Sequence, residues 1–356
     1  MKILHVDTAT EWRGGQNQIV LTAAGQQARG HDVLVFAHRE GELAKRAEAE
    51  GVSVRRSVVG RGDVSWRTID AIRATSRGFS PDVIHVHESH GVWGSILAAR
   101  DRAPRPRLVA SRRVDFPLRI FSRLKYGRMD RVLAVSRAVR DVLLASGLQT
   151  TKVVLVPEGV KDRPPRSGGE AILRALGVQE GSRVVGNVAQ LVDHKDHATL
   201  IRAAAAVLKL EPATRFVICG DGPLKETLVA LVMSLGIQDR VVFAGFRNDL
   251  DALIPAFDVF CLSSHLEGLG TSIIDAMCFA RPVVATSAGG IPDSVIDGET
   301  GRLVAPRDHE GLGRALLEVI QDPALARRMG EAGRRRFVDQ MTDEAMVDRT
   351  LAAYSM

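Results

Sequence analysis

Ser263-Ser264-His265-Leu266-Glu267-Gly268-Leu269-Gly270-Thr271-Ser272-Ile273-Ile274-Asp275-Ala276-Met277 is the stretch on which the fold turns. The apolar run 258–262 before it has the composition of a strand buried on both faces. Residues 271–277 open a helical pattern. A strand, a glycine turn and a helix in that order form the unit of a parallel α/β sheet, whose ligands bind at the carboxyl ends of its strands. Gly268 and Gly270 let backbone approach a ligand closely. The first-turn amides from Thr271 onward make an anion site suited to a diphosphate. Glu267 before the turn and Asp275 about one helical turn inside it can border one cleft. Carboxylates there accept hydrogen bonds from vicinal hydroxyls, so sugars are the obvious partners. Ser272-x-x-Asp275 also fits a capping box, which needs no ligand.

Outward from this stretch the alternation continues almost everywhere. Strands are expected at 3–7, 33–37, 52–54, 83–86, 107–110, 131–135 and 153–156, with helices such as 18–29, 42–50 and 66–77 between them. Pro157, Pro164, Pro165 and Ser167-Gly168-Gly169 make 157–170 a linker. The alternation then restarts, with strands at 183–188, 215–219, 241–244, 258–262, 282–286 and 302–304. The expected fold is α/β: two facing Rossmann-like domains, 1–160 and 161–339, with the site in the cleft between them. The tail 322–356 reads as helical, and its last helix, near 340–356, can pack back on the first domain.

The 356 residues agree with roughly two domains. A 45% hydrophobic, 25% charged composition excludes a disordered or collagen-like chain. Cys219, Cys261 and Cys278 are far apart and form no CxxC, which argues against a disulfide framework or zinc ribbon and for a reducing cytoplasm. The opening residues lack a signal-peptide core, and no stretch has the ~18–20 apolar residues of a membrane span. The net charge of +6 is unevenly spread. Residues 100–140 carry thirteen Lys or Arg against Asp101, Asp115 and Asp130. That block is apolar enough to fold, so it reads as a basic face for anionic partners, an anionic membrane surface among them. It lacks the aromatic interleaving of an RNA binder, and nucleic acid is not an expected partner.

Further segments carry chemistry. Gln190-Leu191-Val192-Asp193-His194-Lys195-Asp196-His197 places one cation after a strand, and His194 with His197 shows no third metal ligand. Asp221-Gly222-Pro223 follows a strand and starts a helix. Trp12-Arg13-Gly14-Gly15-Gln16 can turn backbone amides toward a phosphate. His85 and His87 share a strand face and fit a satisfied core, whereas Glu88 and His90 lie past the strand end. Ser111-Arg112-Arg113-Val114-Asp115 ends the next strand. Asp249-Leu250-Asp251 is a lone DxD whose position suits helix capping, not metal.

These residues resemble the retaining GT-B glycosyltransferases of glycosyltransferase family 4. The resemblance rests on Glu267-x7-Asp275, the Gly-Leu-Gly turn and Arg281-Pro282-Val283-Val284-Ala285-Thr286…Gly289-Gly290-Ile291-Pro292. It extends to Asp297-Gly298-Glu299-Thr300-Gly301, Cys219-Gly220-Asp221-Gly222-Pro223-Leu224 and Val242-Phe243-Ala244-Gly245-Phe246-Arg247. It covers the second domain almost completely and the first loosely. It implies that Glu267 contacts the donor sugar, Asp275 the nucleotide ribose, and the amides of Gly268, Leu269, Gly270 and Thr271 the diphosphate. Gly220, Asp221, Gly222, Phe246 and Arg247 would frame the nucleobase. Lys195 would neutralise the leaving diphosphate together with Gln190, which stands where the family usually has Arg. Asp275 is likewise one methylene shorter than the usual Glu. Gly15 would touch the donor phosphates and Gln16 the acceptor. Arg112 and Arg113 would bind the acceptor, Arg113 at a position where many members have His. Glu88, His90 and Asp115 are the candidates, in that order, for any proton transfer.

The expected activity is transfer of a sugar from a UDP-, GDP- or ADP-linked donor to a saccharide or lipid-linked glycan acceptor, in cell-envelope glycan synthesis. No metal or further cofactor is expected. The expected location is cytoplasmic, peripheral at the inner membrane face. A hydrolysing nucleotide-sugar epimerase of the same fold and a weakly catalytic nucleotide or glycan binder remain as alternatives. A dinucleotide oxidoreductase is disfavoured because neither domain opens with GxGxxG.

Overall fold

A computed structural model describes residues 1–60 and 65–356. The chain divides into two compact units, one of Met1–Lys161 with Asp343–Met356, the other of Asp162–Thr342. The first is built on seven strands: β1 (Lys2–Val6), β2 (Asp32–His38), β3 (Ser53–Ser57), β4 (Val83–Val86), β5 (Arg107–Arg112), β6 (Arg131–Ala134) and β7 (Val153–Leu155). They lie in the order β3-β2-β1-β4-β5-β6-β7, all parallel. The second has β8 (Val184–Val188), β9 (Arg215–Cys219), β10 (Val241–Gly245), β11 (Val259–Leu262), β12 (Val283–Thr286) and β13 (Gly301–Val304). Their order is β10-β9-β8-β11-β12-β13, again parallel. Both are the Rossmann-like sheets expected, and each strand overlaps an expected run with ends moved by at most three residues.

Packing explains why these runs are strands. In the first sheet Leu4 sits opposite both Leu34 and Ile84. Ile3, Leu4, Val6 and Ile84 are shut off from solvent because helices cover both faces. The edge strand β3, with Ser53, Arg55 and Arg56 exposed, is the polar exception. In the second sheet Val185, Phe216, Ile218, Val259, Cys261 and Val284 pack against Leu200, Leu312 and Leu316 from the helices.

The strand orders fix where ligands go. The order in which the chain lays down strands reverses at β1/β4 in one sheet and at β8/β11 in the other, and the crevice beyond such a switch point is where open α/β sheets bind ligands. The helix Asp343–Ser355 packs on the helix Gly14–Ala28. Its Ala353 and Tyr354 join a core with Ile3, Val83, Val109, Leu133 and Val156. Among the described residues no helix is long and apolar enough to cross a membrane.

Candidate functional site

In the second unit the loops leaving β8 and β11 are laced together. The backbone N–H groups of His265 and Leu266 donate to His194 O at 2.9 and 3.5 Å. Ser263 Oγ donates to Lys195 O at 3.1 Å. His265 Nε2 lies 3.2 Å from Asp193 Oδ2. Lys195 and Glu267, 72 residues apart, meet as a result: Lys195 Nζ donates to Glu267 Oε2. Ser264 Oγ donates to the same oxygen at 3.0 Å. The two side chains are only 18% and 11% exposed, so their attraction is little screened.

Gly270 sets the next feature. Its φ of +82° is left-handed, and a Cβ there would lie 3.5 Å from Glu267 Cγ. It is the N-cap of the helix Thr271–Cys278, whose first-turn amides therefore start beside Glu267. This corrects the capping-box reading of Ser272-x-x-Asp275. The cap is Gly270, without a side-chain bond, and Asp275 Oδ1 instead accepts from Arg163 Nη2 at 2.7 Å. Burial pushes the Asp275 carboxyl up, while Arg163 pulls it down. Arg163 also stacks over the Phe279 ring at 5.2 Å.

The β9 turn closes on the β8 loop. A Cβ on Gly220 (φ +147°) would come within 1.9 Å of Ala189 O, and one on Gly222 within 2.5 Å of Leu191 O. Only glycines permit this approach. Leu191 N donates to Asp221 O at 2.9 Å, and the Asp221 carboxylate accepts from Gly222 N at 2.9 Å. Gln190 and Asp221 are exposed, and Phe246, just past β10, is 62% exposed. Asp249 corrects a second expectation. It holds the N-cap position of the short helix Leu250–Leu253 but makes no side-chain cap there. Its carboxylate clasps Arg247 with both oxygens, Oδ1 at 2.9 Å from Nε. Thus Gln190, Lys195, Gly220, Asp221, Gly222, Phe246, Arg247, Glu267, Gly268, Leu269, Gly270, Thr271 and Asp275 come from loops after β8, β9, β10 and β11 or the helix start that follows.

In the first unit the switch point carries a carboxylate pair. Asp7, at the end of β1, accepts from Ala9 N at 3.0 Å and from Gln16 Nε2 at 3.3 Å. Glu88, past β4, accepts from Thr8 N at 3.0 Å and from the Thr8 hydroxyl. His90 Nδ1 lies 3.3 Å from Glu88 Oε2. Burial pushes Asp7 up to about 7, and the Glu88 charge adds to the rise. Gln16 is buried here, and its Oε1 accepts from Arg13 N at 3.1 Å. It therefore holds the loop before the helix Gly14–Ala28 and keeps Asp7 in place. A Cβ on Gly15 would lie 3.4 Å from Arg113 Cδ, which brings the β1 and β5 loops together. Arg113 Nε donates to Glu158 Oε1 at 2.6 Å and Nη1 to His87 O at 3.2 Å, so its charge is already matched. Arg112 Nη2 donates to Phe116 O at 2.9 Å, and Asp115 is half-buried in the loop between them.

His85 and His87 are core residues with partners, as one of the two readings had it. With His5 they form a directed chain of bonds. Arg113 donates to His87 Nδ1 at 3.2 Å, so His87 carries its proton on Nε2 and donates to His5 Nδ1 at 2.8 Å. His5 Nε2 then donates to Gln26 Oε1 at 2.8 Å, and Gln26 Nε2 to the Tyr354 hydroxyl at 3.3 Å. Tyr354 donates to His85 Nδ1 at 2.6 Å, and His85 Nε2 to Ser111 Oγ at 2.8 Å. Burial lowers His5 to about 4 and holds His85 and His87 well below their usual value, so all three rings are neutral. Among the described residues, His5, His85 and His87 have metal-holding spacing, with nitrogens within 4.8 Å of one another. All six ring nitrogens already have partners, so a metal would have to break this chain. His197 is buried against Asn187 Oδ1 at 3.1 Å, and burial lowers it to about 4.

The basic block 100–140 is only partly a basic face. Arg105 pairs with Asp130 at 3.0 Å, Arg113 with Glu158, and Arg140 with Asp141 at 2.9 Å. Arg107 donates to Tyr354 O at 2.6 Å and Arg131 to Asp130 O at 2.9 Å. What stays open to solvent includes Arg119, Arg123 and Arg128. Asp7, Glu158, Arg163 and Ser264 were not singled out from sequence. Asp7 and Ser264 each follow a strand and were findable there. Nothing local marks Glu158 or Arg163, whose partners lie 45 and 112 residues away.

Residues 170–336 match the family described as glycosyl transferases group 1, and residues 12–163 match glycosyltransferase family 4. A D-inositol 3-phosphate glycosyltransferase of Actinosynnema mirum is 30% identical over 88% of this chain and 85% of its own. A lipopolysaccharide core biosynthesis glycosyltransferase, LpsE of Rhizobium meliloti, is 35% identical over 47% of this chain. The chain spans about half the length of that and similar curated relatives. Among solved structures, the Anabaena protein HepE in complex with UDP has a TM-score of 0.86 at 21% identity, covering 100% of both chains.

Proposed function

The chain belongs to glycosyltransferase family 4, and from that premise we propose that it transfers a sugar from a nucleotide-sugar to a hydroxyl acceptor with retention of configuration. The observation that carries this reading is the Lys195–Glu267 pair beside the Thr271–Cys278 helix start, beyond the β8/β11 switch point. A cation, a carboxylate and a row of backbone N–H groups together suit a sugar diphosphate. The diphosphate lies over the Gly268–Thr271 amides and draws Lys195 Nζ away from Glu267. Glu267 then accepts from the donor sugar's hydroxyls. Asp275, steadied by Arg163, takes the ribose, and Gly220, Asp221, Gly222, Phe246 and Arg247 surround the base.

In the reaction the bond from the anomeric carbon to the phosphate oxygen breaks, and a bond to the acceptor oxygen forms on the same face. The acceptor proton goes to the departing phosphate oxygen. Lys195, Gln190 and the helix-start amides stabilise the charge developing on that phosphate. These groups supply the stabilisation that a metal would otherwise give. Gly15 meets the donor phosphates, while Gln16, Glu88, His90, Arg112, Arg113 and Asp115 serve the acceptor side. Glu88 accepts from a neighbouring, non-reacting hydroxyl of the acceptor, and Asp7 lies buried behind it. The acceptor is a saccharide or lipid-linked glycan of the cell envelope, met at the inner face of the cytoplasmic membrane. The named activity of LpsE supports this class. UDP is the first nucleotide to test, because HepE is described in complex with it.

Calorimetry with UDP, GDP, ADP and CMP tests the proposal. One nucleotide should bind selectively, and Lys195→Ala should weaken it. If a folded sample binds none of the four, the transfer reading fails and a glycan-binding role takes its place.

A further inference from the structure

The helix Ile120–Tyr126 is built inside out. Its charged Lys125 is 1% exposed and donates to Ser89 O at 3.0 Å and to the Ser89 hydroxyl. Tyr126 is buried beside it at 2%. The same helix turns Ile120 (78% exposed), Phe121 (81%) and Leu124 (49%) to solvent, and Phe116 (48%) stands just before it. Single exposed apolar side chains are ordinary, but four within nine residues make a patch that water does not explain.

The surrounding charge identifies the occupant. From 116 to 129 the sequence holds no acid, and Arg119, Arg123 and Arg128 are exposed around the patch. Arg128 also lies 5.6 Å above the Trp93 ring. A second copy of this chain docked on the same patch would set arginine against arginine. A bilayer rich in anionic lipid accepts both features, since apolar side chains enter the acyl boundary while arginines rest at the headgroups.

We propose that Phe116, Ile120, Phe121 and Leu124, ringed by Arg119, Arg123 and Arg128, form a wedge that inserts into an anionic membrane surface. This deepens the membrane-face part of the function proposed above and rests on it. It adds that insertion of apolar side chains, and not charge alone, holds the protein there.

Co-flotation with phosphatidylglycerol and phosphatidylcholine vesicles tests this, with nucleotide calorimetry on the same samples. Wild type should float with phosphatidylglycerol vesicles and much less with phosphatidylcholine. The double variant Ile120→Ser/Phe121→Ser should lose affinity for the anionic vesicles by roughly ten- to a hundredfold. The variant Arg119→Glu/Arg123→Glu should lose the preference for anionic lipid, as wild type should at raised salt. Nucleotide binding should be unchanged in both. The wedge is refuted if wild type does not float with anionic vesicles, or if the Ser variant floats as well as wild type. It is equally refuted if wild type sediments as a dimer that Ile120→Ser/Phe121→Ser dissolves, since a second copy then covers the patch. Nucleotide binding without vesicle binding would sink the wedge and leave the transfer reading intact. Vesicle binding without nucleotide binding would do the reverse.

Discussion

Replacing Asp7 with Asn should reverse the sign of its effect on stability between acid and neutral pH. Folding buries the Asp7 carboxyl near Glu88 and moves it from 3.8 to about 7. Between those values the native chain keeps a proton that the unfolded chain has lost. Unfolding then releases a proton, so stability falls as pH rises, by ~1.4 kcal/mol per pH unit and about 4 kcal/mol in all. The loss begins near pH ~4 and is complete a little above pH ~7. Asn is neutral throughout and escapes it. Asn has its own cost, because its amide would face Gln16 Nε2 while Gln16 Oε1 is held by Arg13 N at 3.1 Å. That mismatch costs about 1 kcal/mol. The variant should therefore be about 1 kcal/mol less stable than wild type below pH ~4 and about 3 kcal/mol more stable above pH ~7.5. Urea unfolding followed by circular dichroism across this pH range reads the difference directly. His5, lowered to about 4, contributes the opposite slope, since it gains stability as pH rises toward its unfolded value of 6.5. That term is common to both proteins and cancels. Parallel curves, or a variant less stable at every pH, would show that native Asp7 is ionised and refute the reasoning.

Three further outcomes are expected. Lys195→Ala should lower the transfer rate by about 10²–10³ and leave Glu267 Oε2 bonded to Ser264 alone; a rate within a few-fold of wild type would remove Lys195 from the reaction. Gly270→Ala forces a Cβ into a left-handed φ of +82°, so it should cost about 1–2 kcal/mol of stability and weaken nucleotide binding, both absent if the turn can relax. Tyr354→Phe removes the hydroxyl between Gln26 and His85, both buried, and should lower the urea midpoint by an amount equivalent to about 1–3 kcal/mol, with no change expected in nucleotide binding by the second unit.

What could be read from sequence divides along physical lines. The strands were legible because parallel sheets buried on both faces must be continuous apolar runs, as in Val83–Val86 or Val259–Leu262. Glu267 and Lys195 were legible because each follows such a run. Pairings between distant segments were not. Glu158 and Arg163 sit in a linker with nothing to show that they answer Arg113 and Asp275. The same blindness overstated the basic block, since Arg113 is matched by Glu158, which lies outside it. Local motifs misled where another bond was better. Asp249 had Arg247 within reach, and the left-handed Gly270 began its helix before Ser272 could cap it.

The helix Asp343–Ser355 has a consequence for how the protein is made. It supplies Tyr354 and Ala353 to a unit whose other residues all precede 162. A ribosome must synthesise residues 162–342 before that helix exists, which at ~5–20 residues per second takes roughly ten to forty seconds. During that interval His85 and Gln26 lack their tyrosine, and Ile3, Val109 and Leu133 lack part of their cover. The unit begun first is thus the last to be finished. A nascent chain halted before residue 343 should bind chaperones through that gap, and release them once the helix is added.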